Sequence, residues 1–175
     1  MPAKKKITKE RILHTALSML EKNGYDTVNV KSLAAKLDCS TQPIYLSYRN
    51  MAELRQALCE AAVQKFTDAI GQDGCLYGME YIRFAKENRN LFRFLFMRRN
   101  AFSEMKRALS SVIERSVQEL MRTYHLSHQE AEWKHDQLWM HSHGIASMLV
   151  TDFCDWDMEK AENMVEEAQR LVLQR

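Results

Sequence analysis

Glycine and proline are scarce in this sequence, five and two among 175 residues. So few turn formers cannot punctuate the many short strands of a sandwich or barrel, and they leave no stretch of Pro- or Gly-rich linker. The five glycines, at 24, 71, 74, 78 and 144, form neither a phosphate-cradling GxxxxGK loop nor a GxSxG nucleophile turn. Catalysis is therefore not expected. The four cysteines, Cys39, Cys59, Cys75 and Cys154, make no CxxC pair. Lys4, Lys5 and Lys6 lead into an amphipathic segment rather than an apolar leader, so a reducing cytoplasm is the expected setting. The longest uncharged run, 137–151, is shorter than the ~20 apolar residues of a membrane span and contains His141, Ser142 and His143. His135, His141 and His143, with Asp136, Asp152 and Cys154 nearby, follow no defined ligand spacing, so neither a metal nor another cofactor is expected.

Hydrophobic residues make up 46% of the chain, enough at this length for a substantial core. Met, Leu, Ala, Glu, Lys, Arg and Gln dominate, a helix-forming vocabulary that predicts an all-α fold. Net charge is only +2, but residues 1–50 hold nine Lys/Arg against four Asp/Glu. The basic excess of +5 thus sits at the N-terminal end, as in a nucleic-acid-binding head on a more neutral body.

Nine helices are predicted. Thr8 caps the first, whose Ile12, Leu13, Ala16, Leu17 and Leu20 share a face and which closes at Asn23-Gly24. Asn29 caps a second over 30–37, with Val30, Leu33, Ala34 and Leu37 as its stripe. Asp38-Cys39 breaks it, and Ser40 is expected to cap a short third helix that tolerates Pro43 in its first turn. A fourth runs from Met51 to about Ile70. Others are expected at about 75–88, 90–98, 102–124, 128–153 and 157–174 by apolar spacing of three and four. The domains implied are 1–50 and 51–175.

The segment from Val30 to Tyr48 thus reads as helix, tight turn, helix beside a basic arm of Lys4, Lys5, Lys6, Lys9 and Arg11. Such a unit can seat its second helix in the major groove while the arm holds phosphates. There Gln42 is able to pair with adenine through two hydrogen bonds, and Thr41 can bond a base or touch a thymine methyl. The motifs Gly24-Tyr25, Val30-Lys31-Ser32-Leu33-Ala34, Cys39-Ser40-Thr41-Gln42-Pro43-Ile44-Tyr45 and Tyr48-Arg49-Asn50-Met51-Ala52-Glu53-Leu54 follow in order and without gaps. Over about residues 8–55 the chain resembles the DNA-binding domain of the TetR (tetracycline-repressor-like) family.

The resemblance implies that Thr41, Gln42 and Tyr45 meet bases or adjacent phosphates, and that Asn29, Ser40, Tyr48 and the arm, Lys6 included, lie near the backbone. Met51 stands where the family usually has a phosphate-binding Lys, and Arg49 is the substitute expected. Further on, Ile82-Arg83-Phe84-Ala85-Lys86-Glu87-Asn88, Leu91-Phe92 and the set Trp139, His143, Gly144 resemble one branch of the family. That likeness implies a helical effector-binding and dimerisation domain, and a repressor released from a palindromic operator when a small apolar or aromatic effector binds. Phe66, Tyr81, Phe84, Phe92, Phe96, Met105, Trp139 and His143 are the expected effector pocket.

The helix around 138–150 carries two adjacent apolar stripes, Leu138/Ile145/Leu149 and Trp139/Ala146/Val150, and needs cover on two sides. The family resemblance implies a homodimer interface built from the last two long helices, so Leu138, Ile145 and Leu149, with Ala161, Val165, Ala168 and Val172 of the last helix, are the residues expected there. The rival expectation is a helical protein-interaction module that keeps this fold without specific DNA binding.

Overall fold

The computed structural model describes residues 7–71 and 77–174, so Lys6 and the rest of the N-terminal lysine run, together with Cys75, lie outside the described residues. Among those described there are ten α-helices, one 3-10 turn and no strand. The chain divides into two compact units, Met1–Gln64 and Lys65–Arg175.

In the first unit, α1 (Lys9–Asn23) begins where the Thr8 hydroxyl accepts the Arg11 N–H at 3.2 Å. It ends at Gly24, whose φ of 84° would strain any residue bearing a Cβ. A 3-10 turn (Tyr25–Thr27) leads to α2 (Val30–Leu37), capped by Asn29 through a 3.0 Å bond from the Ser32 N–H. Asp38 takes the left-handed conformation and stops α2, and α3 (Gln42–Ser47) follows. Ser40 does not cap α3: Thr41 holds the cap position without a side-chain bond, and Pro43 falls at the second helical position, where no N–H is required. Both α2 and α3 pack on α1. Ile12, Ala16, Leu20, Leu33, Leu37, Ile44, Leu54 and Leu58 are the buried residues that hold this unit together. Its last helix, α4 (Met51–Ile70), starts where Asn50 Oδ1 accepts the Glu53 N–H, while the Glu53 carboxylate accepts the Arg49 N–H at 2.9 Å.

In the second unit, residues 65–70 are followed by α5 (Met79–Glu87), α6 (Arg89–Phe96), α7 (Phe102–Ala108), α8 (Ser110–Tyr124), α9 (His128–Val150) and α10 (Met158–Leu173). The stretch expected as one helix over 102–124 is two, because the backbone leaves helical geometry at Leu109 (φ −104°, ψ 11°). Neither glycine nor proline marks that break; Leu109 is buried, and packing decides it. The long α9 opens on a capping box, with Ser127 Oγ accepting the Glu130 N–H and the Glu130 carboxylate accepting the Ser127 N–H. It packs against α5, α8 and α10. Arg93 donates to the Val150 carbonyl at 2.8 Å, and Arg89 pairs with Asp152 at 2.6 Å, fixing α6 to the far end of α9. Lys134 is buried and donates to the Val172 carbonyl in the last turn of α10.

Candidate nucleic-acid interface and effector cavity

Helical spacing sorts the side chains of α3 into two faces. Ile44 is 2% exposed and turns into the first unit, whereas Thr41, Gln42, Tyr45 and Leu46 are exposed. Positions 42, 45 and 46 are related by three and four residues and form one strip. Gln42 can offer an amide oxygen and an NH₂ together, the set that matches adenine's N6 and N7. Ser40 and Arg49 are exposed beside this strip, and Asn29 is exposed at the start of α2. Asn29 Oδ1 is already engaged by the Ser32 N–H, so a phosphate would have to share this residue with the cap.

Tyr48 departs from expectation. It is 2% exposed and its hydroxyl is buried with no hydrogen-bond partner, so it does not present a donor to a phosphate. It lies four residues after Ile44, on the same inward face, and burial raises its pKa, with Glu10 and Glu53 adding to the effect. The Lys9 ammonium sits 4.8 Å from the Tyr48 ring centre and 3.7 Å from the Glu53 carboxylate. This cation of the expected basic arm is therefore occupied within the unit. Met51 is half-buried.

In the second unit, seven of the eight expected effector residues meet in one aromatic cluster. Phe66 packs edge-on against Tyr81, Phe84 and Phe96 at 5.0–5.8 Å between ring centres. Tyr81 and Phe96 also pack on Phe92, and His143 stacks between Phe92 (5.8 Å) and Trp139 (5.4 Å). The Tyr81 hydroxyl lies 2.9 Å from His143 Nδ1, and His143 Nε2 lies 3.4 Å from Ser147 Oγ. Burial holds Tyr81 protonated well above its usual range, against an opposing hydrogen bond from Trp139, and burial lowers the His143 pKa. The phenol and the imidazole are thus joined by a hydrogen bond whose direction is set by the tautomer of His143. Phe66, Tyr81, Phe84 and Phe92 are nearly or fully buried and belong to the core of this unit.

The cavity itself, about 220 Å³, opens between α6, α7, α8 and α9. Phe96, Met105 and Trp139 line it as expected lining residues, joined by Phe102, Leu109, Ile113 and Met140. Its polar rim is Lys106, Glu132, His135 and Asp136. His135 is buried, with Nδ1 unpartnered, and burial lowers its pKa while Asp136 and Glu132 oppose the shift. No sequence signal flagged the rim, because only the packing of α7 beside α9 brings Lys106 to Glu132 and Asp136.

The expected interface residues have a different place. Leu138, Ile145, Leu149, Ala161, Val165 and Ala168 are all buried within this chain, and Val172 is half-buried. The two stripes of α9 do receive cover on two sides, but from α5, α8 and α10 of the same chain. Among its large apolar side chains α9 leaves Trp133, Met140 and Met148 exposed, the two methionines four residues either side of Gly144, while α10 leaves Leu171. A Cβ added at Gly144 would meet nothing within 4 Å.

Residues 76–172 match the family model described as the C-terminal domain of tetracyclin repressor-like proteins. No curated protein matches the chain. Among solved structures, a protein of unknown function from Rhodococcus sp. RHA1 is similar at 18% identity over 99% of this chain and 98% of that one, with a TM-score of 0.74. A TetR-like transcriptional regulator from Rhodococcus sp. RHA1 follows at 17% identity over 97% and 98%, TM-score 0.68. The multidrug binding protein EbrR, solved with imidazole, is similar at 17% over 93% and 95%, TM-score 0.57. At these identities the likeness is one of fold.

Proposed function

The chain belongs to the TetR family of transcription regulators, and from that premise we propose that it reads a palindromic operator with α3 and is released by a small apolar or aromatic effector. The observation that carries this reading is the exposed strip of α3, where Thr41, Gln42 and Tyr45 stand clear of a unit whose other helices bury their apolar faces. Ser40, Asn29 and Arg49 lie beside it for phosphates, and the chain's basic excess falls in the same region. Tyr48 takes no direct part.

The effector enters the cavity between α6, α7, α8 and α9, against Phe96, Phe102 and Trp139, with the Tyr81–His143 pair behind them. The multidrug binding protein EbrR, which shares the fold, supports a cavity of this kind. An effector shifts the protein only by binding one conformation better than the other, so release requires that the cavity differ between the operator-bound and free states. A two-fold dimer would present two copies of α3 about one turn of DNA apart, which is why the operator is expected to be palindromic. We place that dimer on the face of α9 and α10 bearing Met140, Gly144, Met148 and Leu171, since the residues beneath are already covered.

The test is selection of bound duplexes from a random library, followed by affinity for the winner and a scrambled duplex at two salt concentrations. The expected result is a palindrome, affinity that falls steeply with salt, and a loss of ~1–3 kcal/mol of discrimination at one base step per half-site in Gln42→Ala. Binding without enrichment and without salt dependence would favour the interaction-module reading, for which the half-buried Met51 in place of a phosphate-binding Lys is the one observation.

A further inference from the structure

Among the described residues of the first unit, the large hydrophobic side chains left exposed are Tyr45, at 56%, and Leu46, at 81%. Single exposed leucines are ordinary on protein surfaces. Here, however, the unit's exposed large apolar surface is gathered at two adjacent positions, both on the strip that also presents Gln42. Leu46 contributes nothing to the core, since Ile44 fills the inward side of α3. Helix propensity alone does not ask for it, because α3 is six residues long and ends at the next position.

We propose that Leu46 reads thymine, by seating its isobutyl group against the C5-methyl in the major groove. The inference rests on the DNA-reading role proposed above and adds to it a second specificity residue. The chemistry follows from what the groove offers: thymine's methyl is the one apolar group on its floor, and apolar side chains recognise it by contact and exclusion of water. Geometry fixes where that thymine lies. Leu46 is one helical turn beyond Gln42, about 6 Å along the axis at the usual rise per residue. With about 3.4 Å per base pair, the thymine stands within about two base pairs of the adenine that Gln42 contacts. Arg49, exposed three residues beyond Leu46, can supply a sequence-independent attraction to the phosphates that brings the methyl within reach.

The decisive experiment removes the methyl and the side chain separately. In the selected operator each dT is replaced singly by deoxyuridine, which differs only by that methyl, and binding is measured for wild type, Leu46→Ala and Leu46→Met. Wild type is expected to lose about fourfold in affinity per half-site at one thymine, the worth of one buried methyl. Leu46→Ala is expected to bind the parent operator more weakly and to be indifferent to deoxyuridine there, and Leu46→Met to regain sensitivity. Because Leu46 is so exposed, Leu46→Ala should keep its fold, which its helical circular dichroism checks. A selected palindrome whose deoxyuridine penalties are the same for wild type and Leu46→Ala would overturn the proposal while leaving sequence-specific reading intact. If the selection yields no preferred sequence, Leu46 has no base to read and both readings fall at that earlier step.

Discussion

The two units are built from different chemistry. All seven phenylalanines and all three tryptophans lie at or beyond Phe66, so the first unit has no aromatic residue other than tyrosine. Its core is aliphatic apart from the inward-facing Tyr48, and its turns are held by Thr8, Asn29 and Asn50 through bonds to backbone N–H groups. The second unit instead stacks ring on ring from Phe66 to Trp139 and places a hydrogen-bonded Tyr81–His143 pair inside the stack. Small capped helices with aliphatic filling present a few side chains in fixed positions, as reading a surface requires. A ring cluster beside a cavity offers large, polarisable walls that can be rearranged around a guest.

The sharpest way to break the contrast is to remove a ring. Phe92→Ala should destabilise the protein by ~3–5 kcal/mol, because Phe92 is fully buried and touches Tyr81, Phe96 and His143. Denaturant unfolding measures this, and a cost below about 1 kcal/mol would mean that the cluster is already loose. A smaller change of opposite sign is expected in the head. Tyr48→Phe deletes a buried hydroxyl that has no partner, so stability should rise by about 1–2 kcal/mol with operator affinity unchanged. Loss of affinity would instead return Tyr48 to the phosphate contacts.

Smaller again, Gly144→Ala should add roughly 0.5–1 kcal/mol to the stability of α9, since a methyl there meets nothing and alanine favours the helix. If the exposed face of α9 joins two copies closely, sedimentation will show dimerisation shifting to higher concentration in the same variant. Unchanged self-association would remove Gly144 from the interface.

The subtlest effect is on pH. Burial lowers the folded-state pKa of His143, so the unfolded chain binds its proton first, and stability declines as pH falls through the ordinary value of about 6.5. His143→Gln should flatten part of the fall in Tm between about pH 7 and about pH 5, with His135, lowered by the same cause, retaining the rest. An equal slope in the variant would place the sensitivity elsewhere.

Much of the head was legible because its determinants are local. Thr8 and Asn29 cap within three residues, and Gly24 closes α1 with a conformation that glycine favours. Tyr48 was misread although a signal existed, since the four-residue step from Ile44 puts it on the inward face. In the second unit the apolar periodicity of α9 correctly demanded cover but could not say whose. Leu138, Ile145 and Leu149 look the same in sequence whether a neighbouring helix or a second copy lies over them. The break at Leu109 and the rim of Lys106, Glu132, His135 and Asp136 arise from contacts between helices, which leave no short-range mark.

The stacking of Trp139 on His143 gives the molecule an optical handle. Of the three indoles, Trp139 lines the cavity, whereas Trp133 is exposed and Trp156 lies under the Lys160 ammonium. A guest entering between α7 and α9 must alter the surroundings of that one fluorophore. The first unit has no indole at all, so tryptophan emission, excited selectively over tyrosine, is blind to the reading head. Occupancy of the cavity can thus be followed in unlabelled protein, even with DNA present, through a signal that originates wholly in the other half of the chain.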